Sequence, residues 1–329
     1  MTSATVCTDD PAGSAPLIAH YTNAKAVIDI LKQGALWASD ARYLNDRAEV
    51  EYGRALVRKK LADAADAADP IKTKKYETLI EEATILFATS RPLVVCFSRA
   101  RDSLSQWRGY GGEKMRFALE FDEAELRKTT KEQGFDLADC IYDPEDQEAR
   151  IAELIARELS SWQGEKRRPG IGRLMRAEYL DRRHPKYIEA MAALREAAKE
   201  TAEDKRKISK EHGALLWQMA EASALSMFQD ELHKLLMLIK HPSFRSEREV
   251  RAAAEVDEDR DLEFRGSQRA IVPFVRLRFR NGEERGALRA VRVGPGSEYA
   301  EVKPVLEQLL FQNFYDGVTV PPTNCTYRD

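Results

Sequence analysis

The sequence predicts an α+β fold in which strand-like segments occupy both ends of the chain and a long helical stretch separates them. Short apolar runs rich in β-branched and aromatic residues occur within 17–121 and again within 250–320. Between them, residues 144–232 are rich in Ala, Glu, Lys and Arg and carry helical periodicity with almost no strand signal. We therefore expect one discontinuous α+β domain over 17–143 and 233–329, interrupted by a helical insertion over 144–232.

The composition is that of a globular protein without an overall charge bias. The chain has 329 residues, 43% of them hydrophobic and 33% charged, and its net charge is -3. No overall field therefore draws it to nucleic acid or to anionic lipid. The cysteines form no C-x-x-C pair, and the sequence has neither a run of ~20 apolar residues nor a signal peptide. We expect reduced thiols, no metal site, no membrane span and a cytoplasmic location, whereas the oligomeric state is left open.

The first structured segment is expected to follow a flexible tail. Residues 1–16 are small and polar and contain Pro and Gly, which is typical of a loose terminus. Leu17–Tyr21 is then a strand candidate. Thr22 is placed to cap a helix whose apolar positions recur at helical spacing until Gly34. The chain thus begins with a strand, a turn and a helix.

The strongest strand signal comes at Leu93–Phe97, a continuous apolar run that should form a buried central strand. Before this strand, Asp46 and Glu49 have the spacing of a capping box, which predicts that a helix begins there. A loop is expected over Ser103–Gly112. The remaining elements predicted by periodicity are helices over about 47–68 and 71–88, strands at 36–39, 115–121, 250–254, 270–275, 288–293 and 318–320, a short strand at best at 140–142, and a late helix over 302–310.

His20 is a candidate ligand-binding residue because it ends the first strand. Thr22 shares its face of the chain, since alternate side chains of a strand point the same way. Side chains at strand ends can reach a cleft. A hydrogen-bonded structural histidine followed by a helix cap is the alternative, and both interpretations stay open.

The predicted loop at Ser103–Gly112 combines Arg108 with two aromatic residues and three glycines. Glycines let the backbone approach a ligand closely, and an arginine fork suits a phosphate, so a nucleotide diphosphate would fit this chemistry. A glycine-rich turn that carries a packed Trp107 is equally consistent with the segment.

Two acidic residues and one basic residue alternate near the start of a late strand. Glu247, Glu249 and Arg251 are expected to lie on one face of an extended run. Like charges on one face destabilise a strand unless a partner compensates them, which favours a functional role. A solvated edge strand is the alternative.

Six short motifs occur in order along the chain. They are His20-Tyr21-Thr22, Leu44-Asn45-Asp46 with Glu49, Cys96-Phe97-Ser98, Gln106-Trp107-Arg108-Gly109-Tyr110-Gly111, Lys240-His241 with Glu247-x-Glu249-x-Arg251, and Val293-Gly294-Pro295. Together they resemble a bacterial family known only as domain of unknown function 2971. The resemblance spans about 17–295, and the helical stretch at 144–232 lies outside the six motifs. It brings no established activity with it.

A more distant resemblance suggests chemistry. The opening His-x-Thr strand and its helix are similar to the start of bacterial DNA-modifying ADP-ribosyltransferases, and the Glu-x-Glu strand is similar to the catalytic strand of arginine-directed ones. The resemblance implies a small split sheet, mixed or antiparallel, that binds NAD as a substrate. It also implies transfer of ADP-ribose to a macromolecular acceptor, protein or nucleic acid, by a toxin or phage-defence effector.

The same resemblance assigns roles to individual residues. Glu249 would be the catalytic carboxylate, which stabilises positive charge on the ribose as nicotinamide leaves, and Glu247 would orient the acceptor. The chain lacks the Ser-Thr-Ser strand of the arginine-directed enzymes, and Ser98 alone stands near that position. The other implied contacts to NAD are His20 and Thr22 on the adenosine side, Tyr21 or Tyr110 stacked on nicotinamide, and Arg108 on the pyrophosphate.

Two other functions stay open on the sequence alone. The first is a nucleotide- or nucleic-acid-binding module without turnover, with the segment at 107–110 as its contact. The second is a structural or partner-binding protein, in which the insertion presents the interface and the motif residues only pack the fold.

Overall fold

A computed structural model gives the structure of the chain over most of its predicted α+β part. Leu44-Asn45-Asp46, nearly all of the predicted tail and residues 162–227 of the predicted insertion lie outside the described residues. The residues described are 16–43, 47–66, 73, 76–77, 79–80, 83–84, 92–110, 115–161, 228, 230–255, 262–267, 270–282 and 285–325.

The chain divides into two compact units. One consists of Met1–Leu56, Thr89–Glu148 and Lys234–Asp329, and the other of Val57–Ala88 and Ala149–His233. The first unit contains the sheet and every site residue considered below. The domain boundaries expected from the sequence stay a prediction. Among the helices in the described residues, none combines the length and the apolar character that crossing a membrane requires.

Strands and helices alternate at the start of the first unit, and strands dominate its end. The strands with described bounds are β1 (Leu17–Asn23), β2 (Ala35–Asp40), β3 (Pro92–Ser98), β4 (Arg116–Asp122), β5 (Asp136–Asp139), β6 (Glu249–Glu255), β7 (Glu263–Gly266), β8 (Ile271–Arg278) and β9 (Leu288–Val293). The α-helices with described bounds are α1 (Ala24–Gln33), α2 (Arg47–Asp66), α3 (Leu104–Tyr110), α4 (Glu123–Glu132), α5 (Pro144–Ser161) and α6 (Tyr299–Gln312). Two 3-10 helices span Ala41–Tyr43 and Pro242–Glu247.

The named strands form one antiparallel sheet in the order β7-β8-β2-β3-β1-β4-β9, with β6 on the other edge of β3 and β5 beyond β6. Together with the helices, this confirms the α+β class and its antiparallel sheet. The central strand expected at Leu93–Phe97 is confirmed as β3. Its residues Leu93, Val95 and Phe97 lie in the main hydrophobic core, which covers one face of the sheet and includes α1 and α6.

β1 and β2 pair with different ends of β3 and diverge from each other along it. β2 pairs with β3 at Ser39↔Val94, whereas β1 pairs with it at Ala19↔Ser98. Within the described chain, residues 95–97 of β3 have no strand partner on that edge. Since β1 and β2 both run antiparallel to β3, they are parallel to each other, and the gap between them opens at the carboxyl end of β1. This gap positions the candidate site.

The helix after β1 begins one residue later than predicted. Its N-cap is Asn23, whose side chain accepts a hydrogen bond from the Ala26 amide at 3.0 Å, and not Thr22. Thr22 still belongs to β1, because the pairing of β1 with β4 continues to Asn23↔Arg116. Gly34 ends the helix as expected, in the left-handed region at φ 63°.

The loop expected at Ser103–Gly112 is instead the helix α3 over its described part. Its Trp107 amide donates to the Ser103 carbonyl at 3.0 Å, and the buried Trp107 ring packs against Tyr21 of β1. Gly109 therefore did not signal a loop, because burial of the large Trp107 side chain stabilises this segment as a helix. Gly111 and Gly112 lie outside the described residues.

Three further features of the structure differ from what the sequence predicted. Glu247 does not belong to the extended run, because it ends a 3-10 helix and Arg248 then adopts φ 44° before β6 starts. The closing strand at 318–320 is reduced to an isolated bridge at Thr319. The strands β5 and β7 were not predicted, because their four-residue segments are half polar and carry no alternation long enough to recognise.

Candidate functional site

A cavity of about 610 Å³ lies where β1 and β2 part. Its volume falls within the roughly 300–1,000 Å³ of small-molecule sites. The cavity is bordered by the end of β1 and the first turns of α1, by Trp37 and Ser39 of β2, by residues 94–97 of β3, by Gln106, Glu247 and Glu249, and by Arg265 with Gly266 of β7.

Five of the predicted site residues border this one cavity. They are the three residues of the first motif, His20, Tyr21 and Thr22, and the two acidic residues Glu247 and Glu249. The two groups lie at opposite ends of the sequence and are brought together by β3, which pairs with β1 at one edge and with β6 at the other. Their roles toward a ligand stay predictions.

His20 is both a structural and an accessible residue. Its Nδ1 is 2.9 Å from the Cys96 carbonyl oxygen, and its ring meets Phe97 edge-on at 5.9 Å. Burial lowers the pKa of His20 and outweighs the carbonyl, which raises it, so the ring is neutral at neutral pH. The proton of a neutral ring then lies on Nδ1, where it is donated to the carbonyl. Nε2 is left as a hydrogen-bond acceptor.

Tyr21 and Thr22 border the cavity in different ways. The Tyr21 hydroxyl donates to the Ala100 carbonyl at 2.5 Å and accepts from the Ser103 amide at 3.1 Å. Its ring meets Trp107 edge-on at 4.7 Å on the sheet face opposite the main core. Burial raises the pKa of Tyr21, so the phenol stays protonated. Thr22 is buried at the end of β1.

Glu249 is the centre of a buried charge cluster. One of its oxygens accepts from Arg251 Nε at 2.7 Å, and the other accepts from Lys240 Nζ at 2.5 Å and Arg251 Nη2 at 3.1 Å. Burial opposes ionisation of Glu249, but Arg251 and Lys240 outweigh it and lower its pKa to about 2. The carboxylate is therefore ionised at neutral pH, although it is 5% exposed.

Lys240 joins the two acidic residues. Its Nζ lies 2.5 Å from Glu247 Oε2 as well as 2.5 Å from Glu249 Oε2, and the side chain is 1% exposed. The backbone around it is held by the Lys240 amide, which donates to the Ile141 carbonyl at 3.1 Å. Glu247 and Glu249 thus converge through a shared cation, although Glu247 lies outside the strand.

Cys96 of β3 lies beside the charge cluster on the cavity wall and is partly exposed. Desolvation, with a smaller contribution from Glu249, raises the pKa of its thiol well above the ordinary value. Cys96 is therefore a protonated thiol at neutral pH and a poor nucleophile.

Ser98 does not border the cavity, but it holds the backbone of Glu247 in place. Its hydroxyl donates to the Glu247 carbonyl at 2.6 Å and accepts from the Ala100 amide at 3.0 Å. The Gln106 side chain lies 3.5 Å from the same carbonyl. These contacts place the turn that carries Glu247, whereas the direct contact of Ser98 with NAD stays a prediction.

The structure does not bring Arg108 to the cavity. Arg108 is exposed in the last turn of α3 and is not among the residues that border the cavity. The contact predicted for it with pyrophosphate therefore has no geometric support. Tyr110 ends α3, but its side chain is not among those described, so its predicted contact with nicotinamide stays a prediction.

Sequence reasoning gave no role to Lys240, which joins the two acidic residues, or to Trp37 and Arg265, which border the cavity. Lys240 belongs to one of the six motifs, and Trp37 lies in a strand that was predicted from its apolar pattern. Arg265 lies in β7, which was not predicted. A signal was present for Trp37, as a large aromatic residue in a short strand, but none was present for Arg265.

No group of three or more His, Cys, Asp and Glu side chains in the described part of the chain is placed to hold a metal ion. Neither a curated protein nor a solved structure matches the chain. Residues 106–252 match the family model described as Protein of unknown function (DUF2971). The matched span runs from α3 into β6 and includes Glu247 and Glu249, so it supports the resemblance indicated by the motifs.

Proposed function

We propose that the protein is an NAD-consuming ADP-ribosyltransferase-like enzyme whose substrate site is the cavity between β1 and β2. The observation that carries the proposal is the convergence of two motifs from distant parts of the sequence on one cavity. His20, Tyr21 and Thr22 border it together with Glu247 and Glu249. The parting of β1 from β2 supports the split sheet that the resemblance implies.

The proposed reaction replaces nicotinamide by an acceptor on the ribose. The bond between ribose C1′ and the nicotinamide nitrogen breaks, and its electron pair leaves with neutral nicotinamide. Positive charge then develops on the ribose and is stabilised by an ionised carboxylate beside it. Glu249 is ionised at neutral pH, because Arg251 and Lys240 keep its pKa low at about 2 despite burial.

The acceptor, a protein or a nucleic acid, completes the transfer. Its nucleophilic atom forms the new bond to C1′ and loses its proton to a base. Glu247 suits this role better than Glu249, because its side chain is 20% exposed whereas that of Glu249 is 6% exposed. His20 contributes binding, since its neutral ring offers Nε2 as an acceptor for a ribose hydroxyl.

A second candidate function is nucleotide binding without turnover. The observation that favours it is that both oxygens of Glu249 already accept hydrogen bonds from Lys240 and Arg251. This compensation reduces the negative charge that Glu249 offers to a ribose. The cavity would then recognise a nucleotide without cleaving it.

Nicotinamide release tests the proposal. Purified protein is incubated with NAD and a cell extract, and release is compared among wild type, Glu249→Gln and Glu247→Gln. The control variant is Glu307→Gln, which removes an exposed carboxylate of α6 that lies 3.7 Å from Lys303. We expect release by wild type and Glu307→Gln, and strong reduction in both site variants once circular dichroism has shown that they fold.

NAD binding, measured by calorimetry on the same proteins, separates the two candidates. Binding by wild type without release, at any extract concentration, would reject the transferase and favour the binding module. Absence of both binding and release would reject both functions.

A further inference from the structure

Arg265 borders the cavity at the end opposite the buried charge cluster around Glu249, and the proposed reaction gives it no role. It lies in β7, whereas Glu249 lies in β6. The sheet places β3, β2 and β8 between these two strands. With a spacing of about 4.8 Å between neighbouring strands, four steps separate their backbones by about 19 Å along the sheet. The carboxylates of Glu247 and Glu249 therefore border one end of the cavity and Arg265 borders the other.

Arg265 is partly buried without a carboxylate partner in the described residues. Its Nη2 donates to the Ser39 hydroxyl at 3.2 Å, and its Cζ lies 5.6 Å from the centre of the Trp37 ring. Its Nε is buried and makes no hydrogen bond within the described part of the chain. By comparison, Arg276 of the neighbouring strand pairs with Glu263 at 2.7 Å.

An incompletely paired guanidinium is costly to bury. A desolvated cation without a counter-charge, and a buried donor without an acceptor, each raise the free energy of the folded state. Desolvation also lowers the pKa of Arg265 from its ordinary value, and no acidic side chain in the described residues offsets this shift. A bound anion would remove the first penalty, because it supplies the missing counter-charge.

Ser39 adds a second donor at the same place. Its hydroxyl oxygen accepts the hydrogen bond from Arg265, so its own proton remains to be donated. Ser39 borders the cavity and is buried, so its hydroxyl lies at the cavity wall and is shielded from bulk water. Arg265 and Ser39 together present a charged fork and a hydroxyl, the donor types that bind phosphate oxygens.

We propose that Arg265, Ser39 and Trp37 form a phosphate subsite that binds the diphosphate of a nucleotide in this cavity. The choice of a nucleotide as the phosphate carrier rests on the proposed function. This subsite, and not Arg108, would then contact the pyrophosphate of NAD. It also orients the ligand, with its phosphates at β7 and its reacting ribose toward Glu249.

Calorimetry with ADP and with adenosine as probes tests the subsite on the full chain. The variants are Arg265→Gln, Arg265→Lys and the control Arg276→Gln, which removes the same charge from β8. We expect Arg265→Gln to weaken ADP binding about 10- to 100-fold, as for the loss of hydrogen bonds to a charged group, and to leave adenosine binding unchanged. Arg265→Lys should retain part of the affinity, because it keeps the charge without the fork.

Folding does not confound this test. No carboxylate in the described part of the chain loses a partner when Arg265 is replaced, so Arg265→Gln should keep or raise the free energy of unfolding. Equal ADP affinity in wild type and Arg265→Gln would overturn the subsite, as would absence of ADP binding to wild type. The subsite and the transferase can fail separately. ADP binding that depends on Arg265, without nicotinamide release, would support the subsite and reject the transferase. Nicotinamide release that Arg265→Gln leaves unchanged would support the transferase and reject the subsite.

Discussion

Replacing Glu249 by Gln removes one negative charge from the buried cluster and keeps the size of the side chain. In the wild-type protein, Glu249 accepts three hydrogen bonds from Lys240 and Arg251, at distances of 2.5 to 3.1 Å. A Gln side chain offers one acceptor oxygen, and its amide nitrogen would face a cation. Both cations would then be buried with less compensation than before.

Two arguments give the size of the effect. Removing one partner of a buried ion pair destabilises a protein by about 3–5 kcal/mol, because the other charge stays buried. Independently, a carboxyl whose pKa falls from 4.5 to about 2 on folding stabilises the folded state by about 3 kcal/mol at neutral pH. We therefore expect Glu249→Gln to lower the free energy of unfolding by about 3 kcal/mol.

Urea unfolding at neutral pH, followed by circular dichroism, measures this difference. The control is Glu307→Gln, whose exposed pairing with Lys303 should contribute about 0–1 kcal/mol. A loss below about 1 kcal/mol for Glu249→Gln, similar to that of the control, would refute the reasoning. It would mean that the cluster is solvated in solution and that the charge of Glu249 is not held by its neighbours.

The remaining predictions concern pH, a supporting hydroxyl and a helix end. Because the pKa of Glu249 falls from about 4.5 in the unfolded chain to about 2 in the folded protein, its contribution to stability is complete above pH 4.5 and is lost as the pH falls toward 2. The difference in free energy of unfolding between wild type and Glu249→Gln, measured with urea, should therefore become smaller on acidification. Ser98→Ala leaves the Glu247 carbonyl without its 2.6 Å donor and should cost about 1–3 kcal/mol in the same assay, so an unchanged midpoint would contradict the contact. Gly34→Ala should cost about 1–2 kcal/mol by thermal unfolding, because φ is 63° and a Cβ would lie 2.5 Å from Arg280 Nε; no loss would show that the helix end rearranges.

Elements with a strong local pattern were predicted well from the sequence. The apolar run at Leu93–Phe97 became β3, and Leu288–Val293 became β9 with the same bounds. Both segments are long enough for burial to dominate their conformation, so composition alone indicates them. Gly34 was likewise recognised as a helix end, because few other residues adopt a positive φ at low cost.

Elements whose conformation depends on a distant partner were missed or misplaced. The helix α3 forms where glycines suggested a loop, because Trp107 is buried against Tyr21 of β1. β7 has only four residues and exists through its pairing with β8. In such segments, composition and periodicity over a few residues do not indicate the conformation that the distant partner stabilises.

The α+β class, the buried central strand and the residues of the two motifs that border the cavity were all predictable from local patterns in the sequence. The divergence of β1 and β2 along β3, the contacts of Lys240 with both Glu247 and Glu249, and the lack of a carboxylate partner for Arg265 among the described residues were visible only in the folded protein. The difference follows from the range of the interactions. Periodicity and turn chemistry act over a few neighbouring residues, whereas the cavity and its charges depend on strand order and register between segments far apart in the chain.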